Sequence, residues 1–287
     1  MRTARLAATA AALAAAALTL IAGCGGSSKT DLTTGLDATQ ILRKSEVAAK
    51  ALTAFRLVGG ATVQAKLTPG APGGDTLARL IADPVKVDGE GPVNGRSISY
   101  DFDATLSGLP AIQANITKVG GGLYLTLLGT DYRVDLPPAQ VAAVNPSQIP
   151  AGLLSWAVAP KEVGREDVDG EPTVHLSALL DAKRVFADIG PLLGSQVTAA
   201  ELKASESQLA AALKTRTLDL WIGTSDLIPR RVAAKLRMAG RVDAISQLRS
   251  AALDLDVRFT DIGKAVDITA PATTEKLDLN SLTQLAG

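Results

Sequence analysis

Residues 97–106 read Ser-Ile-Ser-Tyr-Asp-Phe-Asp-Ala-Thr-Leu. Ile98, Tyr100, Phe102, Ala104 and Leu106 alternate with Ser97, Ser99, Asp101, Asp103 and Thr105. Strand side chains point to opposite faces in turn, so this is a strand with one apolar and one wet face. Such strands belong to antiparallel sheets, because parallel ones are covered on both sides. Ile112, Ala114 and Ile116 continue the pattern after Leu109-Pro110. Gly120-Gly121-Gly122 then supplies a tight hairpin into Leu123, Leu125 and Leu127. Tyr132 to Leu136 is one more short strand, stopped by Pro137-Pro138. Neighbouring strands joined this tightly form a meander and leave no room for crossover helices.

The same alternation returns late in the chain. Leu218, Leu220 and Ile222 mark one strand, Val232, Ala234, Leu236 and Met238 another, and Leu253, Leu255, Val257 and Phe259 a third. Val266 and Ile268 are expected to close the sheet before Pro271. Val163–Val168 and Glu171–Leu176 face each other across Asp169-Gly170, a preferred two-residue turn. Upstream, Leu57, Ala61, Val63 and Ala65 alternate, and Pro69 to Gly74 reads as a loop.

Helices are fewer. Asp37 followed by Gln40 signals an N-terminus, and Ile41, Ala48, Leu52 and Phe55 follow at helical spacing. Further helices are expected at Ser147 to Val158, Asp181 to Ile189 and Ala199 to Lys214, the last with Thr198 and Glu201 as capping box and Leu202, Leu209 and Leu213 as its stripe. The fold class is α+β, a long antiparallel sheet with helices on its apolar side.

The N-terminus carries a separate signal. Arg2 and Arg5 precede an apolar run from about Leu6 to Ala22 that ends in Ile21-Ala22-Gly23-Cys24. This has the build of a secretory signal peptide. Ile-Ala-Gly-Cys resembles a bacterial lipobox, in which the cysteine is acylated and becomes residue one. Cys24 is also the only cysteine in the chain. The expected organisation is a signal peptide over 1–23, a flexible Gly/Ser/Thr-rich tether over 24–36, and a single domain over 37–287. The expected location is the outer face of the cell membrane, held by the lipid anchor.

Composition removes other function classes. Among 287 residues, 29 Lys and Arg balance 29 Asp and Glu, so no basic surface for nucleic acid is expected. One cysteine and one histidine cannot build a zinc site of several Cys and His ligands. P-loop, HExxH and Rossmann glycine patterns are missing from the sequence. Asp167-Val168-Asp169-Gly170 reads as a turn, since Arg165 and Leu176 stand where a calcium loop needs ligands. His175 falls on the polar side of its strand and is expected to be exposed. No catalytic residue, cofactor or metal is expected, and the protein is read as a non-enzyme.

Four segments carry a family resemblance: Lys50-Ala51-Leu52-Thr53-Ala54, Gly121-Gly122-Leu123-Tyr124-Leu125, Val163 to Gly170, and Leu218-Asp219-Leu220-Trp221-Ile222. In this order behind a lipobox, they resemble the LppX/LprA/LprF/LprG family of actinobacterial (mycobacterial) lipoproteins. The resemblance implies a U-shaped half-barrel similar to the LolA/LolB carriers, with helices on its concave apolar face. It further implies carriage of an acylated lipid or glycolipid between envelope layers, with an envelope lipid transporter as a further partner. The lipid-pocket candidates are Ile98, Tyr100, Phe102, Ala104, Leu106, Ile112, Ala114, Ile116, Leu218, Leu220, Ile222, Val232, Ala234 and Leu236. Periodicity alone fits a closed core equally well, in which case the protein is a structural or interaction lipoprotein of the envelope with no cargo.

Overall fold

A computed structural model describes residues 30–68, 83–106, 110–136, 141–142, 144–189, 201, 204–240, 242–243, 248–273 and 275–277. Cys24, the Pro69–Gly74 loop, Thr198 and Leu202 lie outside these. The described chain is α+β, built on one sheet of twelve strands.

The sheet consists of two meanders sharing one seam. The first contains β1 (Ala54–Leu67), β2 (Val85–Asn94), β3 (Ser97–Thr105), β4 (Ile112–Val119), β5 (Gly122–Leu127) and β6 (Thr130–Val134). The second contains β7 (Ala157–Val168), β8 (Glu171–Leu180), β9 (Leu213–Gly223), β10 (Pro229–Ala239) and β11 (Leu248–Thr260). β1 pairs antiparallel with β11, which joins the two halves. The order across the sheet is therefore β12-β6-β5-β4-β3-β2-β1-β11-β10-β9-β8-β7, where β12 is the two-residue segment Lys276–Leu277 lying parallel to β6.

Four helices are described. α1 (Ala38–Ala51) opens with a reciprocal capping box. The Gln40 amide donates to Asp37 Oδ1 at 2.8 Å, and the Asp37 amide donates to Gln40 Oε1 at 3.0 Å. Its buried side is Ile41, Leu42, Ser45 and Ala49. α2 (Ile149–Leu154) follows a 3-10 turn at Pro146–Gln148 and packs on α1. α3 (Ala182–Ile189) is tied to the end of α2 by Trp156, whose Nε1 donates to Asp188 at 2.7 Å. α4 (Glu206–Ala212) leads directly into β9.

Several sequence expectations change here. β2 was not legible, because Gly89, Gly91 and Pro92 interrupt its apolar alternation. Leu213 begins β9 and does not lengthen the helical stripe of Leu209, and Phe55 lies in β1 because α1 ends at Ala51. The helix expected to reach Val158 ends at Leu154, and β7 already begins at Ala157. Val266 and Ile268 are outside the sheet, and Val266 is exposed. Residues 32–36, read as tether, are held against the domain: the Leu32 amide donates to the Thr224 carbonyl, and Thr33 is buried and bonded by Arg165.

Four glycines near the seam set the bend of the sheet. A Cβ at Gly59 or Gly60 would lie 2.1 Å from the Asp256 carbonyl oxygen or 1.9 Å from that of Val87. A Cβ at Gly89 or Gly91 would lie 2.1 Å from the Asp101 carbonyl oxygen or 1.9 Å from that of Ser99. At these positions the side-chain direction runs into the next strand instead of out of the sheet. That geometry occurs where a sheet turns a corner, and only glycine permits it. Gly59 also has φ +125°, a conformation that other residues rarely adopt.

Candidate functional site

The strand registers put one apolar face across both meanders. In one row, Leu125 faces Ile116, which faces Tyr100. The next row runs through Leu127, Ala114, Phe102, Gly89, Gly59, Val257, Val232, Leu220 and Leu176. A third runs through Ile112, Ala104, Val87, Ala61, Leu255, Ala234, Leu218 and Ala178.

The two halves of this face differ in how well they are covered. Leu218, Leu220, Ile222 and Val232 are 0% exposed, Ala234 1% and Leu236 2%. They belong to one cluster with Ile41 and Leu42 of α1, Leu153 and Leu154 of α2, Val185 of α3 and Leu209 of α4. This half is packed core. On the first meander, Ile98, Tyr100, Phe102, Ile112 and Ala114 are half-buried, and Ile116 is 38% exposed. Leu123, Leu125 and Leu127 are half-buried as well. Ala104 is buried, and Leu106 lies just past the end of β3. The fourteen residues singled out from the sequence thus divide into six under the helices and eight on or beside the less covered strands.

Tyr100 has a structural task within this face. Its hydroxyl donates to the Gly59 carbonyl at 2.6 Å, so the ring crosses β2 where Gly89 and Gly91 have no side chains. The ring fills the room left at the bend and ties β3 to β1. Burial pushes the phenol above its ordinary range, and Asp88 and Glu90 add to the effect.

The opposite, polar face holds a cluster that sequence reading missed. His175 stacks on Trp221, with ring centroids 4.4 Å apart and planes at 11°. Arg231 lies over the same indole at 4.6 Å and pairs with Asp256 at 2.9 and 2.5 Å. Trp221 Nε1 donates to Glu166 at 2.6 Å, while the two His175 nitrogens approach Glu166 and Asp219 at 3.1 and 3.2 Å. His175 is therefore half-buried, where the sequence suggested exposure. The cluster borders a trough of about 840 Å³, lined also by Asp167, Asp169, Lys235 and Arg258. Arg258 reaches Asp169 at 3.3 Å and so holds the β7–β8 turn over β11. The Trp221–His175 contact joins residues 46 apart in sequence, and the β8–β9 register is needed to see it.

Among the described residues, no three His, Cys, Asp or Glu side chains gather into a metal-binding group. None of the described helices is long and apolar enough to cross a membrane.

No family model matches the sequence. Among curated proteins, the chain is 26% identical over 155 residues to an uncharacterized 31.2 kDa protein of Streptomyces griseus from the rplA-rplJ intergenic region. The match covers 53% of this chain and 45% of that protein, so it spans less than half the relative's length. Among solved structures, the chain is similar to LprF from Mycobacterium bovis at 18% identity and a TM-score of 0.47, over 82% of this chain and 97% of that one. It is also similar to the lipoprotein LppX from Mycobacterium tuberculosis at 13% identity and a TM-score of 0.37, over 80% and 96%. MucB in complex with MucA from Pseudomonas aeruginosa follows at 14% identity and a TM-score of 0.32, over 82% of this chain and 61% of that one.

Proposed function

We propose that the protein is an exported, lipid-anchored envelope protein that binds an acylated lipid or glycolipid on its apolar face and carries it between envelope layers. The observation that carries this reading is the extension of the apolar face beyond the helices. Phe102, Ile112, Ala114 and Ile116 continue the core rows without sharing their burial, whereas Ile98 and Tyr100 still pack against the core. A chain of sixteen carbons in water is disfavoured by roughly 13 kcal/mol at about 0.8 per methylene, so its passage needs an apolar partner surface. Aliphatic side chains supply that surface without directed contacts. Binding requires no chemical step, in keeping with the reading as a non-enzyme.

Native mass spectrometry of the purified protein tests the cargo. The expected result is an adduct in the mass range of a two- or three-chain lipid, removable by organic extraction. A bare protein would favour the structural lipoprotein.

Anchoring is proposed to rest on Cys24. Two acyl chains hold a protein on a bilayer, since each buried methylene contributes about 0.8 kcal/mol. Cys24→Ala should therefore shift the protein from the membrane fraction to the aqueous fraction. If the variant still requires detergent for extraction, another segment is the anchor.

A further inference from the structure

The apolar face of the first meander carries one cation. Lys118 follows Ile112, Ala114 and Ile116 on the same side of β4 and sits between Ile98 of β3 and Leu123 of β5. It is 2% exposed. Its ammonium has three N–H groups, and the one hydrogen bond it makes among the described residues runs to the Arg96 carbonyl at 2.6 Å. No described carboxylate forms an ion pair with it. The charge acting on it is a second cation, the Arg96 side chain. Burial pushes the Lys118 ammonium below its ordinary range, and Arg96 pushes it further the same way. Arg96 lies in the β2–β3 turn, is exposed, and donates to the Ala142 carbonyl. It also pairs with no described acid.

Two adjoining cations without a counter-charge, one of them buried, are costly unless an anion joins them. A buried lysine with only packing to do would be better replaced by leucine, which would continue the alternation of β4. Close by, a cavity of about 160 Å³ is lined by Leu123, Val134 and Val141, with Arg133, Lys276 and the single acid Asp135. Leu123 is the residue directly opposite Lys118. Arg133 pairs with Tyr124 and so belongs to the other side of the sheet, which leaves Lys118 as the strand cation at this end of the apolar face.

We propose that Lys118 and Arg96 receive the anionic headgroup of the acylated cargo, an oxyanion of phosphate type. The inference rests on the lipid-carrier reading. Lys118 is two residues from Ile116, about 7 Å along the strand, so a headgroup here would start its chains over Ile116 and Leu125. Ammonium and guanidinium groups both donate to phosphate oxygens, and chains that exclude water strengthen those bonds. The site would select anionic lipids over neutral acylglycerols that fit the same apolar face.

The test uses the full chain, purified with its bound lipids. Extracted lipids are quantified by mass spectrometry for the wild type, Lys118→Met and Arg96→Gln. Lys118→Met removes the charge and keeps the length. Arg96→Gln changes an exposed side chain, so it decides the matter if the first variant fails to fold. The ratio of anionic phospholipid to neutral acylglycerol should fall about tenfold or more in Lys118→Met and severalfold in Arg96→Gln, the range expected on losing a hydrogen bond to a charged group. Total neutral lipid should hold. A phosphorus NMR titration with inorganic phosphate forms the second arm. Phosphate binding that is lost in Lys118→Met, with lipid composition unchanged, would assign the site to a free anion and overturn the headgroup inference. An unchanged lipid ratio in both variants would overturn it too, while leaving the carrier reading in place. A wild type free of lipid would overturn both.

Discussion

Ala234→Trp should lower the melting temperature by roughly 5–10 °C, whereas Ala114→Trp should leave melting within about 2 °C and displace bound lipid. The two alanines share the apolar face but not its cover. Ala234 is 1% exposed, flanked by Leu218 and Leu255 in a packed cluster beneath the helices. An indole there overfills a dense core, at a cost of ~1–3 kcal/mol and occasionally more. In a domain of this size each kcal/mol moves the melting temperature by about 2–4 °C. Ala114 lies half-buried between Phe102 and Leu127, where a larger side chain can extend over the sheet. If lipid chains occupy that space, the indole competes with them. Calorimetry and lipid quantification on both variants make the comparison. Equal destabilisation by both changes, with lipid content unaltered, would mean that the first meander is also filled core.

How much of this was legible follows from where the information sits. The faces of β3, β4, β9, β10 and β11 could be read from two-residue alternation, because each has one dry and one wet side. Lys118 was open to the same reading, since it occupies the next inward position after Ile116. β2 was hidden because the residues that weaken its strand pattern, Gly89 and Gly91, are those the bend requires. The division of the apolar face into packed core and half-covered surface could not be read at all. It depends on which strands the helices cover, and the β1–β11 seam decides this by joining residues about two hundred positions apart. Leu220 and Ile116 look alike in sequence, yet only Leu220 lies in the cluster with α1 to α4.

The contact of β1 with β2, next to the seam, is where the smallest substitution should do the most damage. Gly60→Ala adds one methyl group, and in an ordinary strand that change is stabilising by about 0.5–1 kcal/mol. Here the methyl carbon would lie 1.9 Å from the Val87 carbonyl oxygen and 2.7 Å from the Asp88 Cα. Both atoms are backbone, so no rotamer change can relieve the contact, and β1 must part from β2. The ladder from Ala54↔Asn94 to Val63↔Val85 would then be interrupted near its middle. A loss of about 3 kcal/mol or more is expected, a fall of roughly 6–12 °C in melting temperature. Gly164→Ala in β7 is the control, because a Cβ there meets nothing within 4 Å. It should melt at or slightly above the wild type. Because the bend places the first meander relative to the helix-covered half, lipid loading of Gly60→Ala should fall as well, even below the melting range. If Gly60→Ala and Gly164→Ala melt alike, the close strand approach is not what holds the corner, and the curvature must come from the Tyr100–Gly59 bond and the packing around it.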